Sequence, residues 1–394
     1  MKKIIIFHHY STCIGAGLCL FQIAIALKNK YEVVVCLPNY KGDLNSKLLD
    51  NGIRTIQLKN IPKSYSHYNG SYKPFLSRQN ISDIYLIQTS KNKIIEILKN
   101  ESPDFVLVNS MTLFWIGKIA NKMNIKSICY VRETYCNTLL NVRTNYIKNC
   151  LNKYFDKIIF ISKYDMNATG KNYDKYVLIT DKVDFTLYNK LDKKKVRDEL
   201  QLPNDKSIIL YVGGDNPIKG PMVILKAMKF IKSDAKLVYL QHSSSISKGI
   251  KTCICRILGK DMSFKVEKYI YDNKLTDKII LRNATDEVQK YFIASDLVVF
   301  PNTIAHQARP IYEAGYVKKP IVATDFENVK EFLNPRTGFV FKKNNFIELS
   351  MLIDNILNGK VDISDKLLNN YKQTVSNHDY STLINEIVDI IEKE

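Results

Sequence analysis

The sequence predicts an α/β protein made of two doubly wound, Rossmann-like domains that face each other across a cleft. Three observations carry this prediction. Short apolar runs of strand length alternate with stretches of helical periodicity along nearly the whole chain. Many of the runs are apolar at successive positions, as strands buried on both faces of a parallel sheet are. The 394 residues exceed one core of ordinary size, at roughly 150 residues per domain.

The first run, KKIIIFH (residues 2–8), is a buried strand. A turn with two glycines follows, STCIGAG, and then LCLFQIAIALKNK, with apolar residues at helical spacing. YEVVVCLP closes the first βαβ unit. GIRTIQL, DFVLVNS, KSICYVRE and KIIFIS are four further strands, and FWIGKIANKM and NYIKNCLNKYF are amphipathic helices between them. YVLITDKVDFTLY gives one more strand. The charged stretch NKLDKKKVRDELQLPNDK has no sustained apolar period and reads as a link between domains.

Alternation resumes at SIILYVGG and continues through AKLVYLQH, KIILRN, DLVVFPN and KPIVATD. The helices of this half are VILKAMKFI, EVQKYFIA and the segment around Glu313. The expected boundaries are a first domain over 1–185, a linker over 186–204 and a second domain over 205–370. A C-terminal helical segment, 371–394, is expected to pack back across the domains. The stretch from 243 to 269 is basic and partly apolar. It reads as a loop and surface helix, with a membrane surface as the alternative.

Composition excludes several classes. With 45% hydrophobic and 25% charged residues the chain is globular. No apolar run approaches the roughly 18 residues that span a bilayer. The N-terminal MKKIIIFHH has an apolar run too short for a signal peptide and reads as a strand. The eight cysteines include no CxxC pair, so no zinc site is expected, and Cys36 and Cys129 sit in apolar runs as small core residues. The formal net charge of +19 favours anionic partners such as phosphate-rich ligands or acidic lipid headgroups. Lysines dispersed over a solvated surface would give the same total.

Four places offer chemistry. Gly15 and Gly17 open a helix after the first strand, where unpaired amides favour anions, although the pattern is neither GxGxxG nor a P-loop. YVGGDNPIKG repeats the theme: Gly213 and Gly214 end a strand, and Lys219 precedes a helix. A tight turn with a solvated lysine is the plainer account of both. Arg132 and Glu133 follow directly on the strand SICYV, at the end where doubly wound sheets bind ligands, or they form an internal ion pair. Arg309-Pro310 starts a helix that places Glu313 in its first turn, where it answers the helix dipole or grips a pair of ligand hydroxyls.

These stretches, in this order, resemble the GT4-type retaining glycosyltransferases of the GT-B fold, also described as glycosyl transferases group 1. The match covers most of the chain and is strongest from 205 to 341, through YVGGDNPIKG, EVQKYFIASDLVVFPN, RPIYEAGYVKKPIVATD and PRTGFVF. The resemblance implies a nucleotide-sugar donor held on the second domain, an acceptor mainly on the first, and neither an obligatory metal nor another cofactor. Position by position it implies that Glu313 binds the donor ribose and that Lys219 contacts the diphosphate. Gly15 and Gly17 would line the site beside phosphate and acceptor, and Glu331 matches a recurrent glutamate. Gly213, Gly214, His306 and Arg309 complete the implied donor set, with Lys219, Arg309 and Glu313 as the catalytic group and Arg132 and Glu133 on the acceptor side.

The departures are specific. The first glutamate of the family's pair is Ala305 here, the arginine after the second glycine-rich turn is Gly214, and the paired downstream glycines are Glu327-Asn328. Arg309 is the expected substitute for the missing phosphate charge. The implied function is transfer of a sugar, from a UDP-sugar by preference, to a cell-envelope polysaccharide or lipid-linked glycan acceptor. The expected location is the cytoplasm, with peripheral contact on the anionic inner face of the cell membrane. A non-catalytic, nucleotide-binding or partner-activating subunit of the same fold stays open, on the strength of Ala305 and Gly214. A nucleic-acid partner is not expected, because no arginine stripe interleaved with aromatics is present.

Overall fold

The computed structural model describes residues 1–59, 61–62, 73–74, 76–136, 138, 140–170, 174–189, 191–243 and 261–393. Its strands are β1 Lys3–Phe7, β2 Glu32–Pro38, β3 Arg54–Leu58, β4 Phe105–Val108, β5 Lys126–Val131, β6 Lys157–Phe160, β7 Tyr176–Leu178, β8 Ser207–Tyr211, β9 Ala235–Tyr239, β10 Ile279–Leu281, β11 Leu297–Phe300, β12 Ile321–Thr324 and β13 Phe339–Phe341. Its α-helices are α1 Ala16–Leu27, α2 Leu44–Asp50, α3 Arg78–Glu101, α4 Trp115–Lys122, α5 Val142–Tyr154, α6 Lys163–Thr169, α7 Lys193–Glu199, α8 Pro221–Met228, α9 Met262–Asp272, α10 Val288–Ala294, α11 Arg309–Tyr316, α12 Phe346–Leu357, α13 Ser364–His378 and α14 Leu383–Glu392.

The chain divides into two compact units, Met1–Lys182 with Tyr380–Glu394, and Val183–Asp379. The first holds a seven-stranded sheet in the order β3-β2-β1-β4-β5-β6-β7, and the second a six-stranded sheet in the order β10-β9-β8-β11-β12-β13. The pairings are parallel throughout both sheets. Each order reverses direction once, between β1 and β4 and between β8 and β11. Those are the switch points where doubly wound sheets expose the carboxyl ends of adjacent strands to a ligand.

Period-two alternation explains the layers. In β1, Ile5 and Phe7 enter one apolar cluster while Ile4 and Ile6 enter the cluster on the other face. In β11, Val298 and Phe300 face one cluster while Leu297 and Val299 face the other. A central strand of each unit is thus apolar at successive positions to fill the cores on both faces.

The sequence expectations differ from the structure at three places. The stretch 186–204, expected as a linker, lies within the second unit. Tyr188, Val196 and Leu202 bury into that unit's core and α7 forms from the charged run. The expected strand over 176–188 is only Tyr176–Leu178, and Phe185–Tyr188 is a 3₁₀ turn capped by Asp184, whose side chain accepts from the Thr186 amide. The C-terminal segment is two helices: α13 ends in the second unit, whereas α14 joins the core of the first through Leu383, Ile387 and Ile391. Most of the basic stretch from 243 to 269, with Cys253 and Cys255, lies outside the described residues, and α9 begins at Met262.

The first unit therefore needs the last residues of the chain. Ile387 is fully buried against β1 and α1. An Ile387→Ala substitution is expected to destabilise the first unit by about 2–5 kcal/mol, from lost transfer energy plus a cavity. Calorimetric scanning should show one transition moving down while that of the second unit stays in place.

Candidate functional site

In the second unit the switch point is crowded. Gly220, at φ 75°, lies so close to the β11 end that an added Cβ would stand 1.8 Å from the Pro301 carbonyl oxygen. The Thr303 amide donates to the Ile218 carbonyl at 2.9 Å, which locks the loop after β11 to the turn after β8. The glycine turn is packed from below. The Tyr211 and Tyr239 hydroxyls both donate to the Gly214 carbonyl, at 3.0 and 2.7 Å. A side chain at Gly213 would meet Tyr211 and Lys219, and one at Gly214 the Gln241 carbonyl. Packing alone thus demands glycine at both.

Lys219 and His306 meet across this corner, with Nζ 3.1 Å from Nδ1. Burial lowers the Lys219 ammonium to about 8 and the His306 imidazole to about 3, the latter helped by the lysine charge. The imidazole is therefore neutral and Nδ1 accepts from the ammonium. The Lys219 charge also lies 5.6 Å from the centre of the Phe300 ring. The Asn328 amide donates to the His306 carbonyl at 2.7 Å. Asn328 thereby fastens the loop that carries the histidine.

α11 begins at Arg309 with Pro310 in its first turn, as the sequence predicts, but Glu313 is the fifth helical residue. This corrects the expectation of a first-turn carboxylate. A full turn in, Glu313 lies beyond the unpaired amides that a helix-end acid answers. It is 8% exposed, and its Oε1 accepts from Arg309 Nε at 3.0 Å and from the Tyr188 hydroxyl at 3.4 Å. Burial raises its pKa, against the pull of Arg309 and Tyr188. Tyr188 lies 125 residues before Glu313, and nothing in the sequence pairs the two. Glu331 lies in the turn after β12, with its carbonyl accepting from Gln373.

A third group escapes the sequence reading. His242 bridges two carboxylates, with Nδ1 3.0 Å from Asp215 and Nε2 3.1 Å from Glu267. Asp215 also accepts from the Tyr239 hydroxyl and the Ser243 amide. This network holds the turn that leads to Lys219.

In the first unit the glycines differ. Gly15, at φ 54°, would place a Cβ in open space, whereas one at Gly17 would strike the Thr12 carbonyl at 2.0 Å. Arg132 is buried, donates from Nε to Asn109 at 2.8 Å, pairs with Asp181, and has its Cζ 3.9 Å from the centre of the Tyr130 ring. The Glu133 carboxylate accepts from the Ser110 hydroxyl, from the Met111 amide at 3.0 Å and from the Arg132 amide at 3.2 Å. The two residues do not pair side chain to side chain. Asn109 ties the group to β1 and α1, through His8 Nδ1 and the Ala16 carbonyl, both at 3.2 Å. Among the described residues no three His, Cys, Asp or Glu side chains are placed to hold a metal ion.

Residues 192–375, which contain Lys219, His306, Arg309 and Glu313, match the family described as "Glycosyl transferases group 1". This segment is a group 1 glycosyltransferase domain. The family is one of transferases, and the two Rossmann-like units are those of the GT-B fold. Solved structures agree over the whole chain. HepE of Anabaena, crystallised with UDP and glucose, shares 18% identity over 100% of both chains, with a TM-score of 0.78. Sucrose-phosphate synthase of Thermosynechococcus elongatus shares 16% identity over 100% of this chain and 99% of its own, at 0.77. WaaG, a glycosyltransferase involved in lipopolysaccharide biosynthesis, shares 14% over 98% and 99%, at 0.66. At these identities the likeness shows the fold. No curated protein matches the chain in sequence.

The group 1 domain carries a pH-dependent clamp beside its glycine turn. The pKa of His242 is raised by its bond to Asp215 and then by Glu267. A raised folded value contributes stability below the ordinary value of 6.5, and the contribution is lost as pH rises through the folded value. Asp215 has a lowered pKa, so its own contribution persists down to acid. A His242→Asn variant should therefore lose most melting temperature relative to the parent near about pH 5.5, and little near about pH 9. Thermal scans of both proteins across that range check the sign.

Proposed function

We propose that the chain is a retaining glycosyltransferase that uses a nucleotide-diphosphate sugar, a UDP-sugar by preference. Its acceptor is a cell-envelope polysaccharide or a lipid-linked glycan, reached by peripheral contact with an anionic membrane surface. The observation that carries this reading is the Lys219–His306 corner of the group 1 domain, with Glu313 seated one turn into the adjoining helix. HepE, of the same fold, is crystallised with UDP, with UDP and glucose, and with UDP-glucose, which supports a UDP-sugar donor.

The chemistry follows from the charges. The bond from the anomeric carbon to the diphosphate oxygen breaks, and the acceptor hydroxyl oxygen bonds to the same face of that carbon. The hydroxyl proton leaves with the diphosphate. Lys219 offers its ammonium to the developing negative charge, in a partly buried place where a charge counts for more than in water. His306, neutral and fixed by Asn328, orients the ammonium. The first amides of α11 add donors at a helix N-terminus. Arg309 brings its charge to the same corner while bridging Glu313, and Glu313 accepts the two ribose hydroxyls.

Nucleotide release from a panel of UDP-, GDP-, ADP- and CMP-sugars tests the reading. Release from one donor is expected, with a Glu313→Ala variant about 10- to 100-fold weaker, from the loss of charge-assisted hydrogen bonds. Silence across the panel with free UDP still bound would instead favour a nucleotide-binding subunit. The Lys219 ammonium supplies a second test. Because an anion binds the protonated form and burial sets its pKa at about 8, UDP affinity should be level below that value and fall above it, by up to about tenfold per pH unit. In Lys219→Met the dependence should vanish, which calorimetric titration at several pH values would show.

A further inference from the structure

The first unit has an apolar cavity between α3, α4 and α5. It encloses about 350 Å³ and is lined by Ile84, Ile87, Ile95, Trp115, Ile119 and Met123, among others. That volume falls within the range of small-molecule sites, roughly 300–1,000 Å³. The rim is basic: Lys91, Lys118 and Lys122 all line the opening, and no aspartate or glutamate does. Tyr146 of α5, which also lines it, is exposed at 54%. Inside, the indole Nε1 of Trp115 is buried without a hydrogen-bond partner, on a side chain only 6% exposed.

Each feature constrains the occupant. The apolar walls call for hydrocarbon. The lysines, with no carboxylate to balance them, call for an anion beside it. The unpaired indole N–H calls for an acceptor oxygen at the boundary between the two, since leaving it unmet costs about 1–3 kcal/mol. An exposed tyrosine such as Tyr146 suits the water–lipid interface. One hydrocarbon chain alone gives marginal membrane attachment, and a chain with a basic cluster gives a stable one.

We infer that the α3–α4–α5 groove takes a chain of an anionic membrane lipid, with its headgroup phosphate on Lys118 and Lys122. The inference gives a place to the peripheral-membrane part of the functional reading and rests on that part.

Trp115 is the single tryptophan of the chain, so intrinsic emission reports on the groove itself. The test mixes the full chain with vesicles of phosphatidylcholine, alone or with phosphatidylglycerol, with the acyl chains dibrominated in parallel samples. Vesicles containing phosphatidylglycerol should shift Trp115 emission to the blue, and brominated chains should quench it roughly twofold or more. A Lys118→Glu, Lys122→Glu double variant, changed at exposed positions only, should bind such vesicles at least about tenfold more weakly. Vesicle binding with unquenched emission overturns the groove and leaves the peripheral reading standing. Equal quenching by neutral vesicles overturns the anionic headgroup. Absence of vesicle binding overturns groove and peripheral contact together. Nucleotide release is measured without vesicles, so the transferase reading stands or falls separately.

Discussion

A parallel sheet covered on both faces leaves chemistry only one address. The central strands of the two sheets must be apolar at successive residues, because alternate side chains enter opposite clusters. Polar groups are therefore driven to the strand ends, and the reversal of strand order opens the carboxyl ends of two neighbours at once. In the second unit those neighbours are β8 and β11. Gly220 passing against the Pro301 carbonyl shows how closely the two loops are pressed together. Lys219 meets His306 because these backbones touch.

The same constraint sets the electrostatics. A lysine held at a crowded strand end is partly stripped of water, so its pKa falls to about 8, and the neighbouring imidazole is driven to about 3. Glu313 is pushed the other way by burial, against the pull of Arg309 and Tyr188. Three groups from two loops and a helix thus acquire complementary roles: a positive point charge, a neutral orienting ring and a buried acceptor. The substitutions at the family's positions fit this scheme in part. Asn328, where the resemblance implies a glycine, supplies the bond that fixes the His306 loop. Gly214, where the resemblance implies an arginine, is the position where no side chain fits over Gln241. Ala305 has no such structural explanation.

The first unit resolves its strand-end charges internally. Arg132 is consumed by Asn109, Asp181 and the Tyr130 ring, and Glu133 by backbone amides and Ser110. Its exposed lysines matter elsewhere, along helices that carry Ile87, Trp115 and Ile119 inward and Lys118 and Lys122 outward. The overall charge of +19 thus has at least one local expression, a basic rim around an apolar groove.

The sequence by itself determined the alternation of strands and helices, the parallel class of both sheets, and the turns at Gly213 and Arg309-Pro310. These are local facts, written in the periodicity of side chains and the backbone preferences of glycine and proline. It also placed Lys219, His306, Arg309 and Glu313 on loops and a helix that follow strands, and the group 1 match covers all four. The tertiary structure alone decided which groups meet. Tyr188 reaches Glu313 across 125 residues, Asn328 reaches His306 across 22, and His242 bridges Asp215 and Glu267. It decided that Glu313 sits a turn beyond the helix end, that 186–204 is core rather than link, and that the last helix returns to the first unit. Such pairings depend on how loops of different lengths fold over a finished sheet. Periodicity along the chain carries no record of that distance.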